Sequence, residues 1–151
     1  MLKEQQRYPE ARGDLTLLLN SIQLACKIIT NAAKCAGIFN MYGVAGGKNK
    51  SGDIVKKLDV FANDSMVNSI SFTETTPYFY SLKKKKVPIM ASEEMETAIK
   101  VPNCPRPKYC VVFDPLDGSS NIEANVATGT IFGIYRIKDP KQPKESDLLQ
   151  K

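Results

Sequence analysis

At 151 residues, 42% hydrophobic and 25% charged, the chain has the size and composition of one globular domain, which excludes the fibrous and disordered classes. The complete absence of histidine removes Ser-His-Asp triads, Cys-His dyads and histidine-rich zinc sites, leaving catalysis to carboxylates, lysines, tyrosines, thiols or a bound metal. A net charge of +5 favours anionic partners in general, sugar phosphates and nucleotides included.

Leu15, Leu18, Leu19, Ile22, Ala25, Ile29, Ala32 and Ala36 recur at intervals of three and four, which predicts a long amphipathic helix started by Gly13-Asp14 and stopped by Gly37. A helix of that length packs against a long neighbour or a subunit partner. The glycine-rich stretch Met41 to Gly52 (MYGVAGGKNKSG) has no apolar period and reads as a mobile loop of the kind that forms functional lids. A phosphate loop is the sharper alternative for AGGKNKSGD, but the spacing GxxxxGK[ST] is missing. A second helix is predicted to carry Ile54, Leu58, Phe61, Ala62 and Met66 on one side, with Asp53 at its cap or in the loop before it. Ser71 to Lys86 shows neither period and reads as an irregular insertion, its Lys83 to Lys86 run being a solvated loop in preference to a nucleic-acid patch.

Val87 to Ala91, Tyr109 to Phe113 and Thr130 to Tyr135 are short β-branched or aromatic runs bounded by turn residues, and each predicts a strand. Helices followed by strands indicate an α+β layered domain. The polar tail from Lys138 to Lys151, with two prolines, reads as a loop leading onward. Cys26, Cys35, Cys104 and Cys110 follow neither a CxxC pattern nor a disulfide-scaffold spacing, so reduced structural thiols are expected. No apolar stretch approaches membrane-spanning length and the start lacks an apolar signal core, which predicts a cytoplasmic protein with no membrane partner.

Glu93 and Glu94 follow the first predicted strand, and Asp114 and Asp117 follow the second. Paired acids at two strand ends can converge on one sheet edge, where a shared proton or a bound cation relieves their repulsion. Oxygen donors without histidine favour magnesium or manganese over zinc or copper, and magnesium prefers a few carboxylates plus substrate phosphate oxygens. In DPLDGSSN, Asp114 to Asn121, the fixed backbone angle of Pro115 helps both acids face one point and leaves the Leu116 carbonyl available as a further ligand. Gly118, Ser119 and Ser120 then offer N–H groups and hydroxyls at the start of a helical turn, a geometry that binds phosphate. A plain proline or Asx turn with a serine cap is the alternative reading of the same octapeptide.

The run VVFDPLDGSSNIEANVATGTIFGIYR resembles the central signature of class 1 fructose-1,6-bisphosphatases, within the lithium-sensitive, metal-dependent sugar and inositol phosphatase superfamily. RGDLTLLLNSIQLACKIITNAAKCAGI, MYGVAGGKNKSGD, VKKLDVFAND and MASEE are similar to successive segments of that family, in order. The resemblance implies a layered sugar-phosphatase fold, with long N-terminal helices packed on a mainly antiparallel sheet. Residues 1–151 would form its N-terminal, AMP-binding and metal-ligand domain, with an insertion at about 71–86 and the C-terminal half missing. It further implies a phosphoric monoester hydrolase that releases the 1-phosphate of fructose 1,6-bisphosphate in gluconeogenesis, using several Mg2+ ions, with Mn2+ as the alternative. A homo-oligomer, a tetramer in the family, with AMP as inhibitor and no nucleic-acid partner is implied too.

Carried over position by position, Glu93, Glu94, Asp114, the Leu116 carbonyl and Asp117 would be metal ligands, and Asp59 with Glu94 would orient and deprotonate the attacking water. Asp117, Gly118, Ser119 and Ser120 would hold the reacting phosphate. Asp53 would lie in the family's dynamic loop, about residues 36–57. Gly13, Asp14, Leu15 and Thr16, with Lys108, Tyr109 and Arg136, would form the AMP site, at which Arg12 stands where relatives carry a small hydroxyl residue. The family's second half supplies sugar contacts and a further acidic ligand, so weak or no turnover is expected of the isolated chain. A non-catalytic nucleotide-binding or assembly module, a sedoheptulose bisphosphatase and an inositol phosphatase are the alternatives.

Overall fold

The computed structural model describes residues 13–38, 41, 43–48, 54–71, 87–104, 107–124 and 126–150. The first helix, α1 (Asp14–Lys34), starts after Gly13 in the left-handed conformation (φ 77°) and carries no side-chain cap. Leu18, Ile22, Ala25, Ile29 and Ala32 form its buried stripe. Leu15 and Leu19, expected on that stripe, are 43% and 41% exposed instead. Leu19 is turned about 100° from the centre of that seam, whereas Leu15, about 60° away, stands in the first turn of the helix. By length and composition α1 could cross a membrane, contrary to the reading of the sequence. Its seam nevertheless packs onto the second helix and the sheet as a core helix does.

Two expectations for residues 41–56 need correction. Val44–Lys48 (β1) and Ile54–Lys56 (β2) pair antiparallel, with an irregular register between Val44 and Lys48. A strand thus occupies much of the expected loop, its glycines having hidden the pattern; Gly46 sits at φ 92°, where a side chain would be strained. Ile54 accordingly belongs to β2, and the second helix, α2 (Lys57–Ser71), begins three residues later. Its first turn is held by Asp59, whose Oδ2 accepts the Lys56 N–H at 2.8 Å, while the Lys57 N–H donates to Gly43 O at 3.1 Å. Asp53, Arg12, the segment 72–86 and its lysine run lie outside the described residues.

The larger sheet has the order β4-β3-β5-β6, from β3 (Ile89–Ser92), β4 (Ile99–Lys100), β5 (Tyr109–Asp117) and β6 (Gly129–Arg136). Only β3 and β5 pair in parallel; β4 with β3 and β6 with β5 are antiparallel, so the sheet is mixed and mainly antiparallel. Two-residue β4 is too short to show a period in sequence. Side chains alternate along β5. Tyr109, Val111 and Phe113 meet Leu18, Ile22 and Met66 of the helices, whereas Cys110 joins Ile89, Ile137 and Leu148 in a separate cluster.

Leu148 belongs to a 3-10 turn, Glu145–Leu149, within the tail that the sequence reads as an onward loop. Buried Asp147 secures it, accepting N–H groups of Lys144 at 3.0 Å and Lys138 at 3.4 Å. Gln150 Nε2 donates to Arg136 O at 2.7 Å, and Cys110 Sγ donates to Asp147 O at 3.1 Å. Prolines and charges masked this docking because a single apolar residue, Leu148, carries it. All four cysteines are free thiols, and burial pushes the Cys110 thiol above its ordinary pKa.

Candidate active site

Parallel pairing of β3 with β5 aligns Ser92 with Phe113, so both strands deliver their following acids to one sheet edge. The Glu93 N–H donates to Phe113 O at 3.0 Å, which sets the Glu93-Glu94 turn beside Asp114. Here the sequence boundary shifts, since β5 does not end at Phe113 but runs through Asp117. A register shift between Asp114 and Asp117 lets the strand bend there without losing its pairing. Buried Pro115 and Leu116 anchor the bend: Pro115 O accepts the Thr130 hydroxyl at 3.0 Å, and Leu116 packs with Ile29, Leu58 and Ala62. The Asp114 Oδ1 accepts the Leu116 N–H at 3.0 Å, which is the Asx turn of the alternative reading and leaves Oδ2 outside that bond.

Helix α2 contributes Asp59, only 2% exposed. Glu94 is pushed up from 4.5 to about 7, first by burial and then by the charges of Asp59, Glu93 and Asp114 and a hydrogen bond with Glu93. Asp114 is also raised, mainly by burial, against the pull of the Leu116 N–H and with help from Glu93, Asp117 and Asp59. Asp59, Glu93, Glu94, Asp114 and Asp117 thus feel one another despite coming from three separate segments. Asp59 Oδ1, Asn63 Oδ1 and Glu94 Oε2 are buried without a hydrogen-bond partner among the described residues.

Mutually repelling carboxylates with orphaned acceptor oxygens suit a hard divalent cation. Among the described residues no group of three acidic, histidine or cysteine side chains closes around a single ion. Magnesium, which keeps waters and substrate oxygens in its shell, demands no such cage. A cleft of about 350 Å³ opens beside these acids, with Glu93, Phe113, Asp114 and Phe132 in its wall.

After Asp117 comes Gly118 at φ 81°, where an added Cβ would also meet Ala127 O at 3.4 Å. The Asn121 N–H donates to Gly118 O at 3.0 Å and opens the 3-10 turn Ser119–Ala124, the helical turn expected to hold phosphate. Two residues here escaped the sequence reading. Asn63 lies one helical turn beyond Asp59, and a polar residue four positions on from a buried acid was the available signal. Lys56 donates from Nζ to Ser119 O at 3.2 Å and Ser120 O at 3.1 Å, contacts across 63 and 64 positions that no local pattern announces.

The residues expected to bind AMP gather at the opposite end of β5, roughly 25 Å away at 3.4 Å per residue. Tyr109 pairs with Arg136 across the ladder. Lys108 Nζ lies 3.1 Å from Asp14 Oδ2, with the two side chains 29% and 12% exposed, and 5.8 Å from the Tyr109 ring centroid. Gly13, Leu15 and Thr16 complete the adjoining start of α1.

The whole chain, residues 1–151, matches the family model described as Fructose-1-6-bisphosphatase, N-terminal domain. The chain belongs to the fructose-1,6-bisphosphatase family. It is 44% identical over 150 residues to the cytosolic fructose-1,6-bisphosphatase of Arabidopsis thaliana, covering 99% of this chain and 41% of that protein. Fructose-1,6-bisphosphatase 1 of Mus musculus is 46% identical over 147 residues, covering 97% and 40%. The chain therefore spans about two-fifths of the length of the curated relatives it matches. The holo form of the Leishmania major fructose-1,6-bisphosphatase superposes with a TM-score of 0.77 at 35% identity, over 91% of this chain and 39% of that one. For the same enzyme in the T-state the TM-score is 0.63 at 34% identity, over 89% and 36%. The α+β layering of helices on a mixed sheet is thus that of the fructose-1,6-bisphosphatases.

Proposed function

We propose that residues 1–151 form the N-terminal, metal-ligand and AMP-binding domain, with an insertion at about 71–86, of an enzyme that hydrolyses the 1-phosphate of fructose 1,6-bisphosphate. The observation that carries this reading is the convergence of Asp59, Glu93, Glu94 and Asp114, with Asp59 Oδ1 and Glu94 Oε2 buried and unpartnered among the described residues. Mg2+, or Mn2+ in its place, would supply charge neutralisation of the phosphate and acidification of the attacking water.

Glu93, Glu94, Asp114, Asp117 and the Leu116 carbonyl would be the donors to that ion. Asp59, fixed by the Lys56 N–H, and Glu94 orient the water and take its proton. The water oxygen bonds to phosphorus, the bond from phosphorus to the C1 oxygen breaks, and a proton returns to the leaving sugar oxygen. Asp117, Gly118, Ser119 and Ser120 hold the phosphate during that exchange.

AMP regulation, through Gly13, Asp14, Leu15, Thr16, Lys108, Tyr109 and Arg136, is part of the same proposal, supported by the contact of Lys108 with Asp14 and the pairing of Tyr109 with Arg136. So are a homo-oligomer, which the exposed Leu17, Leu24 and Ile28 of α1 would suit, and a cytoplasmic location, in keeping with the cytosolic relatives. The test is phosphate release from fructose 1,6-bisphosphate by the purified chain, with and without Mg2+, alongside calorimetry of inorganic phosphate. Mg2+-dependent release or phosphate binding that Asp114→Asn abolishes supports the reading. The absence of both release and Mg2+-dependent phosphate binding would overturn it.

A further inference from the structure

We propose that Lys56 is a positioning residue that joins the two halves of the candidate site, acting through Asp59 on one side and the carbonyl groups of Ser119 and Ser120 on the other. The inference rests on the phosphatase reading above. Lys56 ends β2 and immediately precedes α2. Its main-chain N–H donates to Asp59 Oδ2 at 2.8 Å, and its ammonium donates to Ser119 O at 3.2 Å and Ser120 O at 3.1 Å. One residue thereby touches the buried acid through its backbone and the phosphate turn through its side chain.

The consequence follows from peptide geometry. A carbonyl and the following N–H are opposite ends of one planar unit, so gripping Ser119 O fixes the direction of the Ser120 N–H. The next plane is held at both ends, because Ser120 O accepts from Lys56 and the Asn121 N–H donates to Gly118 O at 3.0 Å. A cation on the carbonyl side polarises the first of these planes so that the Ser120 N–H favours an anion, and hydrogen bonds from an ammonium are stronger than neutral ones. Lys56 accordingly holds the turn in its receiving orientation without touching the phosphate, and keeps it in register with Asp59.

The experiment compares the wild-type chain with Lys56→Met, which keeps the aliphatic stem and loses the donor, and with Lys56→Arg, which restores a charged donor. Amide hydrogen exchange is read at Asn121 and, as an internal reference, at Val111 and Val112 in β5. Binding of inorganic phosphate in the presence of Mg2+ is measured in parallel. Lys56→Met should accelerate exchange at Asn121 and weaken phosphate binding, each by about ten-fold, the change one lost hydrogen bond to a charged group brings. The β5 reference should not move, and Lys56→Arg should recover most of both losses. Unchanged exchange at Asn121, equal acceleration throughout the chain, or no recovery with Arg would overturn the proposal. If wild-type chain binds no phosphate with Mg2+, the phosphatase reading fails, while the exchange measurements still decide whether Lys56 holds the turn.

Discussion

Replacing Glu94 with Gln should stabilise the metal-free chain at pH 8 and change it far less at pH 5. Burial and the nearby Asp59, Glu93 and Asp114 raise the Glu94 carboxyl from 4.5 to about 7, so the folded chain holds this proton across a range where the unfolded chain has released it. Stability from such a group is fully present below 4.5 and is lost as pH rises through about 7. At 1.36 kcal/mol per pH unit the whole effect would be about 3 kcal/mol. Solvent around this half-buried side chain screens it to the order of 1 kcal/mol. Urea unfolding of both proteins in EDTA, at intervals from pH 5 to pH 8, measures the difference directly. The gap should widen by about 1 kcal/mol over that range, and Mg2+ at pH 8 should then stabilise the wild type more than Glu94→Gln. Parallel stability curves, with no change in the gap, would refute the electrostatic convergence inferred for the acids.

Gly133→Ala places a Cβ 3.1 Å from both Tyr135 Cε2 and Val112 Cγ2, so the urea midpoint should fall by an amount equivalent to about 1–3 kcal/mol. Lys108→Met removes the ammonium 3.1 Å from Asp14 Oδ2; calorimetry should show AMP binding weakened by about ten-fold or more, with Mg2+-dependent phosphate binding at the other end of β5 unchanged. Asp147→Ala deletes the acceptor of two main-chain N–H groups and should cost about 1–3 kcal/mol. It should also speed labelling of the buried Cys110 thiol by a maleimide, since the turn that covers that thiol would loosen.

Elements with a long apolar period are legible in the residues themselves. The α1 seam from Leu18 to Ala32 and the β5 run from Tyr109 to Phe113 follow from spacing alone, because one buried face dictates them. The β1–β2 hairpin is not legible, since Gly46 and Gly47 dilute the alternation and β2 is three residues long. Extension of β5 through Pro115 is hidden for a related reason: a proline inside a strand signals an ending unless a bulge absorbs it.

At the site, Glu93, Glu94, Asp114 and Asp117 are identifiable as paired acids at strand ends, and parallel pairing of β3 with β5 explains why they meet. Asp59 stands out only through family resemblance, its buried position inside the first turn of α2 being a tertiary fact. The roles of Asn63 and Lys56 depend on contacts distant in sequence or on burial, and residue type alone reveals neither.

Paramagnetic broadening of backbone amide signals by Mn2+ tests the central claim most directly, because it locates a bound ion without requiring turnover. Sub-stoichiometric Mn2+ should first erase the signals of Asp59, Glu93, Glu94, Asp114 and the stretch from Leu116 to Ser120, leaving Lys108 and Arg136 at the far end of β5 visible. Uniform broadening, or broadening centred on the acids of the tail between Asp139 and Asp147, would contradict a metal site built on these carboxylates.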